Sequence, residues 1–268
     1  AGFHTSFAKI DPSSLKWQDS LNPIKQEMEN NLANLIGPSY KAREVAFNFP
    51  DFIEMILNAG DSRPSRGATI GQSLPNWGKV AEENRRRTVV MTNFYTDPES
   101  KRVARETAGL LLDKTTMINF SDEKEPGIVG VILHEAAHNF GPHSDYKVDG
   151  KSPSDLFGGR TSATLEELKA QTAALWYVDY IRQKGLISDK LAKEIYTHEI
   201  AWCFGHISKG MFTASGVPNN YSQLAAIQIG SLVNDGAIEF VTTEGTGKDV
   251  GRFKINFDKL PRASELLM

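Results

Sequence analysis

The chain has 268 residues, of which 24% are charged, and a formal net charge of -3 at pH 7. This length allows one large domain or two modest ones with a buried core. The nearly balanced charge gives no global field that would favour nucleic acid or an anionic membrane, so we expect a peptide or small-molecule partner. The single cysteine, Cys203, excludes an internal disulfide and a metal site built from several thiolates. Imidazole and carboxylate groups remain as metal ligands.

No apolar run approaches the roughly 20 residues that cross a bilayer, so we expect a soluble protein without a membrane span. The chain begins with Ala1 and has no basic stretch followed by a hydrophobic segment. We interpret this beginning as a processed one, with part of the native protein missing. The compartment stays open between the cytoplasm and a periplasmic or secreted location after processing, and the oligomeric state stays open as well.

Residues 1–98 show a mixture of helical and strand patterns. Apolar residues at helical spacing predict one or two helices from Asp11 to Ile36, and Gly37 with Pro38 ends them. The alternating segment EVAFNFP at 44–50 and the β-branched and aromatic segment RTVVMTNFY at 87–95 predict strands. Between them, we expect an ordered loop from Gly60 to Gly78.

From Ser100 onward the pattern is mainly helical, with helical segments at 110–113, 127–140, 164–185 and 191–206. Residues 141–163 are dense in Gly, Ser, Asp and Pro, which predicts a long surface loop. We therefore expect an α+β, predominantly helical fold. Its mixed portion, 1–98, would contribute to a cleft, and its mainly helical lobe, 99–268, would bind a metal. The two could also form one continuous domain of a longer protein.

The segment HEAAH at 134–138 is the clearest indication of a catalytic metal site in the sequence. His134 and His138 are four residues apart, so on a helix both imidazoles leave the same face and can share one ion. Glu135 lies beside them, where its carboxylate can take a proton from a water whose pKa zinc lowers to roughly 7. The apolar run from 128 to 133 predicts a buried helix, where unpaired histidines would be costly. The motif predicts a zinc-dependent hydrolase.

A catalytic zinc needs a third protein ligand. The arrangement HExxHxxGxxH puts its third histidine where this chain has Ser144, so His143 falls one residue short and Asp145 one residue beyond. Glu167, in LEELKAQ on the next predicted helix, is a better candidate, because a helix packed against the first can present a carboxylate to the ion. The alternative is that Glu166 and Glu167 belong to a solvated first helical turn. Gln171 could orient a ligand or be an ordinary surface glutamine.

Several blocks resemble the dipeptidyl peptidase III family of zinc peptidases, and most closely a bacterial branch of similar metallohydrolases. HEAAHNFGP resembles the first zinc motif of that family, and LEELKAQ at 165–171 resembles the second. The blocks GATIGQSLPNWGKV at 67–80 and FGHISKGMF at 204–212 resemble a segment beside the substrate cleft and a later segment with a functional histidine. The resemblance extends from about Ala42 to the end of the chain.

The resemblance implies that Glu167 is the third zinc ligand and that His206 stabilises the oxyanion that develops on the scissile carbonyl. Three departures limit it. Gln171 stands where the family motif ends in an acid, and HEAAH lacks the extra residue that the peptidases proper carry before the second histidine. Most of the N-terminal portion that helps to form the cleft in family members has no counterpart here, so dipeptidyl specificity cannot be carried over.

The sequence therefore predicts a zinc metallopeptidase that acts on a peptide or small amide. Its predicted metal ligands are His134, His138 and Glu167, and its predicted catalytic residues are Glu135 and His206. Two alternatives stay open: a zinc-binding interaction module without catalysis, and a hydrolase of non-peptide amides or esters, because HExxH chemistry activates water without naming the acyl group.

Overall fold

The structure is a computed structural model that describes residues 4–60, 71–74, 87–142, 146–242 and 249–268. Its strands are β1 (His4–Ile10), β2 (Asp51–Gly60), β3 (Gly71–Leu74), β4 (Arg87–Met91), β5 (Ile238–Thr242) and β6 (Gly251–Ile255). Its helices are α1 (Ser13–Leu21), α2 (Lys25–Ile36), α3 (Asn93–Thr96), α4 (Pro98–Leu111), α5 (Lys114–Met117), α6 (Glu125–Ala137), α7 (Pro153–Phe157), α8 (Gly159–Gln183), α9 (Asp189–Ile207), α10 (Asn220–Asn234) and α11 (Leu260–Leu267).

The first four strands form one sheet in the order β1-β2-β4-β3. β1 is antiparallel to β2, β2 is parallel to β4, and β3 is antiparallel to β4. In the parallel pair, Phe52 lies opposite Val90, and both side chains are fully buried. Within the part of the chain that the structure describes, β3 stands at an edge of this sheet. β5 and β6 form a separate antiparallel hairpin.

The strand predicted over residues 44–50 is wrong, because this segment has no regular secondary structure and β2 begins only at Asp51. Its carbonyl groups bind side chains instead of a neighbouring strand: Lys25 donates to Phe47 at 2.7 Å and Gln18 donates to Phe49 at 3.3 Å. The alternating apolar residues therefore reflect aromatic packing, in which the Phe47 ring lies 5.4 Å from that of Phe140.

Two other predicted segments are shorter than expected. The strand predicted over residues 87–95 ends at Met91, and α3 follows it. The loop predicted over residues 141–163 contains α7 and the beginning of α8, which starts at Gly159 rather than at residue 164. α7 begins with a capping box, in which Ser152 and Asp155 each bind the other's backbone N–H. Strand β1, which the sequence pattern did not predict, completes the sheet.

Helix α6 packs against α8 and α9 in the helical layer. Its segment from residue 126 to 133 is apolar on all sides, with Ile128, Val129, Ile132 and Leu133 almost completely buried. One hydrophobic core includes these residues together with Trp17 and other side chains that precede residue 98. The predominantly helical α+β fold is thus confirmed, whereas the boundary between 1–98 and 99–268 stays a prediction. Among the described residues, no helix has the length and apolarity needed to cross a membrane.

A buried acid joins helix α2 to the turn that follows α6. Glu29 is 0% exposed, and its carboxylate accepts hydrogen bonds from the Tyr40 hydroxyl at 2.7 Å and from the backbone N–H groups of Arg43 at 3.1 Å and Gly141 at 2.8 Å. The Tyr40 hydroxyl also lies 2.8 Å from the Gly141 carbonyl. Because a buried carboxylate is costly unless its lone pairs are occupied, these partners hold both segments in place.

We expect Glu29→Ala to lower the free energy of unfolding by about 3 kcal/mol, because several donors would lose a charged acceptor in the interior. Urea unfolding followed by circular dichroism measures this loss. Glu27→Ala is the matched control on the same helix, since Glu27 makes an exposed ion pair with Lys184 and its removal should cost much less. Equal losses in the two variants would contradict the assigned role of Glu29.

Candidate metal centre

His134, His138 and Glu167 come together between α6 and α8, and we call these three side chains the metal cluster. His134 lies in the last turn of α6, His138 directly follows that helix, and Glu167 lies on α8. The two Nε2 atoms are 3.2 Å apart, and Glu167 Oε2 lies 3.4 Å from that of His134 and 3.8 Å from that of His138. Among the described residues, this is the one group of three or more His, Cys, Asp or Glu side chains with donor atoms close enough to share an ion.

The hydrogen bonds of the two imidazoles determine which nitrogen carries the proton. His134 Nδ1 lies 2.8 Å from Gln171 Oε1, and His138 Nδ1 lies 3.0 Å from Glu166 Oε1. An amide oxygen and an ionised carboxylate can only accept, so both Nδ1 atoms are donors. In the neutral form of each ring, which is the form that binds a metal ion, Nε2 then carries the lone pair.

The cluster fits a zinc ion by its donor set and by its spacing. Within the described part of the chain, the buried Glu167 Oε2 has no hydrogen-bond partner, and it lies against the two Nε2 atoms. In their metal-binding forms, without protons on these atoms, three such donors repel one another unless a cation lies among them. Ligand atoms about 2.1 Å from a tetrahedral zinc ion are about 3.4 Å apart. The observed separations of 3.2, 3.4 and 3.8 Å are close to that value. Two histidines and one glutamate also leave a fourth position open, as catalytic zinc sites require.

The charges around the cluster favour a cation as well. Burial lowers the pKa of His134, but the contact with Glu167 at 3.4 Å and the charges of Glu135, Glu167 and Glu199 outweigh it and hold this pKa above its usual value. Burial raises the pKa of Glu167, yet the two histidines hold it below its usual value. Positive charge at the cluster is thus stabilised by several surrounding carboxylates.

Glu166 and Lys169 support the second histidine. Lys169 Nζ lies 3.0 Å from the same Glu166 oxygen that accepts from His138, and it donates to the carbonyls of Phe140 at 2.9 Å and Pro142 at 3.1 Å. These contacts tie α8 to the turn after α6. Glu166 therefore contacts α6 instead of belonging to a solvated helical turn, the alternative that the sequence left open.

Glu135 lies beside the cluster and against strand β3. A Cβ atom added at Gly71 would lie 3.0 Å from Glu135 Oε1, which is tighter than ordinary contact. The absence of a side chain at Gly71 thus lets the strand backbone approach the carboxylate. The charge of Glu135 contributes to the raised pKa values of both His134 and Tyr221, so this carboxylate lies in the neighbourhood of both groups.

His206 lies near the end of α9, and no described hydrogen bond joins it to the cluster. Its ring packs 4.2 Å from that of Trp202 and 5.3 Å from that of Tyr221, measured between centroids. Its Nδ1 is buried and has no partner among the described residues. Burial, with a smaller contribution from Lys209, lowers the pKa of His206 to about 4. The imidazole is therefore neutral at pH 7 and can act as a hydrogen-bond donor rather than as a positive charge.

Tyr221, on the first turn of α10, is a residue that the sequence analysis missed. Its hydroxyl interacts with Glu167, and burial together with the charges of Glu167 and Glu135 raises its pKa. The phenol therefore keeps its proton and can donate it in a hydrogen bond. No local pattern distinguishes this tyrosine, because α10 brings it to the cluster from a distant part of the chain.

Some predicted residues cannot be compared with the structure. His143 and Asp145, the alternative third ligands, lie outside the described residues, as does most of the block at 67–80 apart from Gly71–Leu74.

A cavity of 280 Å³ near the cluster is lined by residues of α4, α6 and α9, including Gly127 and Glu199. None of the three cluster residues lines it.

Comparisons with known proteins concern most of this chain but less than half of each relative. No family model matches the chain. It is 25% identical over 252 residues to Nudix hydrolase 3 of Arabidopsis thaliana, which covers 90% of this chain and 29% of that protein. The structure of DPP III from Caldithrix abyssi matches with a TM-score of 0.78 and 22% identity, over 99% of this chain and 47% of that chain. The expected likeness to a dipeptidyl peptidase III fold is confirmed, and at this identity it concerns the fold alone.

We expect the purified chain to bind one zinc ion and expect His138→Ala and Glu167→Ala to weaken zinc binding by at least about 100-fold. Losing a ligand should cost no less than losing the group that orients it, which costs roughly 10- to 100-fold. Competition with a chromogenic chelator measures the dissociation constant. His198→Gln is the control, because His198 binds the Ser121 carbonyl at 2.8 Å and lies outside the cluster. Unchanged affinity in Glu167→Ala would remove Glu167 as a ligand.

Proposed function

We propose that this chain is a zinc-dependent hydrolase of peptide bonds, with zinc held by His134, His138 and Glu167. The observation that supports this proposal most directly is the group of three donor atoms, 3.2 to 3.8 Å apart, with Glu135 beside one of them in the same helical turn. Bound there, zinc would supply Lewis acidity that polarises a carbonyl and lowers the pKa of water to roughly 7.

Glu135 acts in this proposal as general base and then as general acid. Its carboxylate takes one proton from the attacking water while the water oxygen forms a bond to the amide carbon. The same proton then passes to the leaving nitrogen as the carbon–nitrogen bond breaks, so the products are a carboxylic acid and an amine. Its location beside His134 and in the neighbourhood of Tyr221 supports this role.

His206 and Tyr221 serve as donors to the oxyanion that forms during attack. A neutral imidazole and a protonated phenol can each donate one hydrogen bond where negative charge develops. The unpartnered Nδ1 of His206 supports this assignment, since a buried polar atom without a partner is costly unless a ligand supplies one. Their rings lie 5.3 Å apart, so both can act at one end of the site.

The position of β3, at a sheet edge and beside Glu135, favours a peptide over other acyl substrates. This strand pairs with β4 on one side and stands at the sheet edge within the described part of the chain. An extended peptide can add to such an edge through main-chain hydrogen bonds. Because Gly71 lies against Glu135, a peptide bound there would pass close to the proposed base. In this proposal the portion 1–98 forms one wall of the cleft and the helical lobe 99–268 forms the other.

The name of the plant relative does not decide the reaction. The chain covers 29% of that Nudix hydrolase, so the name describes a protein that is mostly outside the match. The donor set also argues for zinc over magnesium, since two imidazoles suit zinc whereas magnesium prefers oxygen ligands.

We expect the zinc-loaded chain to hydrolyse members of a panel of peptides, amides and esters, and expect Glu135→Gln to lower kcat by at least about 100-fold without loss of zinc. Loss of a positioned general base costs roughly 10²- to 10⁴-fold. Glu125→Gln, at the exposed beginning of the same helix, is the control. Zinc binding without turnover of any substrate would favour a non-catalytic zinc module, and turnover of esters alone would exclude a peptidase.

We expect His206→Gln to reduce kcat by about 100-fold and to leave KM and zinc affinity nearly unchanged, because a transition-state donor affects the chemical step. Steady-state kinetics on the best substrate of the panel checks this separation. Ser208→Ala is the neighbouring control, since its hydroxyl binds the Gly205 carbonyl at 2.8 Å. A change confined to KM would assign His206 to substrate binding.

A further inference from the structure

We infer that Glu199 is a positioning residue for the metal centre, acting on His134 through the side-chain amide of Gln171. This inference deepens the proposed function and rests on it. Gln171 Nε2 donates to Glu199 Oε2 at 2.5 Å, and Gln171 Oε1 accepts from His134 Nδ1 at 2.8 Å. Glu199, Gln171 and His134 thus form a continuous hydrogen-bonded chain that crosses from α9 through α8 to α6.

The donor and the acceptor of each of these hydrogen bonds follow from the chemistry of the three side chains. Glu199 Oε2 accepts from the amide nitrogen of Gln171, so the amide oxygen must face His134. His134 then carries its proton on Nδ1, and its Nε2 lone pair is directed to the cluster. Without Glu199, the Gln171 amide could rotate and present its NH₂ group to His134, which would favour the wrong tautomer.

Glu199 also supplies the charge that Gln171 lacks. The dipeptidyl peptidase III-like motif ends in an acid where this chain has Gln171. The carboxylate of Glu199 lies one side chain further from the cluster, and Gln171 joins it to His134 through two hydrogen bonds. Burial raises the pKa of Glu199, while the hydrogen bond that Gln171 donates to it acts in the opposite direction.

The packing of α6 against α9 makes room for this carboxylate. A Cβ atom at Gly130 would lie 2.0 Å from Glu199 Oε1 and 2.9 Å from its carboxyl carbon. Any side chain at residue 130 must therefore displace Glu199. A glycine inside a helix lowers its stability by roughly 1 kcal/mol relative to alanine. The close approach of Glu199 explains why residue 130 is nevertheless a glycine.

The test measures zinc affinity of the full chain by chelator competition, together with thermal unfolding of the metal-free form. We expect Glu199→Gln to raise the zinc dissociation constant about 10-fold, because it removes the charge while keeping the shape. Glu194→Gln is the matched control on the same helix, since Glu194 pairs with Lys190 at 3.6 Å. It should leave the dissociation constant unchanged.

Rescue separates a positioning role from a merely structural one. Combining Gln171→Glu with Glu199→Gln moves the carboxylate next to His134 and leaves an amide behind it, so we expect zinc affinity to recover to near the wild-type value. Gly130→Ala provides an independent variant that displaces Glu199 without changing it, and Gly230→Ala on α10, where a Cβ atom meets nothing within 4 Å, is its control. Gly130→Ala should weaken zinc binding, and Gly230→Ala should not.

The outcomes distinguish this inference from the proposed function. One combination of results would contradict the inference alone: the wild type binds zinc, His134→Ala does not, and Glu199→Gln binds as tightly as the wild type. Glu199 would then have no positioning role, while the proposed metal ligands would be supported. The inference also fails if Glu199→Gln only lowers thermal stability or if the double variant does not recover. If no zinc binds to the wild type, the proposed function and this inference fail together.

Discussion

Mutual repulsion among three lone-pair donors is the constraint on which the rest of this structure depends. His134, His138 and Glu167 bring three donor atoms within 3.2 to 3.8 Å of one another, and in the neutral rings the protons lie on Nδ1, bound to Gln171 and Glu166. A cation relieves the repulsion, and the packing of α6 against α8 keeps the donors from moving apart. The helical layer therefore serves to hold an arrangement that the isolated side chains would not adopt.

Each histidine is held from a different direction. Gln171 and Glu199 hold His134 from the side of α9, whereas Glu166 and Lys169 hold His138 from the side of the turn after α6. Two separate hydrogen-bonded chains thus fix the two rings. Because α8 contributes to both chains, a small rotation of α8 would disturb both imidazoles as well as Glu167.

The sequence was informative where function depends on local spacing. The pair of histidines and Glu135 could be predicted because the helical repeat alone brings them to one face. Glu167 was less certain, since its approach depends on how α8 packs, and the resemblance to a known motif was needed to favour it. Tyr221 and Glu199 could not be assigned roles from the sequence, because only the packing of α9 and α10 brings them to the cluster. For Glu199, however, an acid among the apolar residues of EIAWCF was a usable signal of a buried polar contact.

The fold shows the same division between local and distant information. Helices α6, α8 and α9 follow clear apolar patterns, so their existence was predictable, although α8 begins earlier than expected. The segment 44–50 misled because alternation of phenylalanines is typical of a strand, while here the backbone carbonyls bind Lys25 and Gln18 on neighbouring helical segments. Side chains of helices can replace a partner strand, and no pattern within the segment itself distinguishes the two cases.

The contacts of Glu29 and Arg43 bear on how this protein could be divided or redesigned. Arg43 donates to the Asn139 carbonyl at 2.6 Å, and Glu29 accepts from the Gly141 N–H, so the backbone just after His138 is bound by residues that lie between β1 and β2. An excised fragment that begins after the sheet would leave these polar groups unpaired next to a metal ligand. The metal centre is therefore a property of the whole chain, and a minimal version of it would need substitutes for both residues.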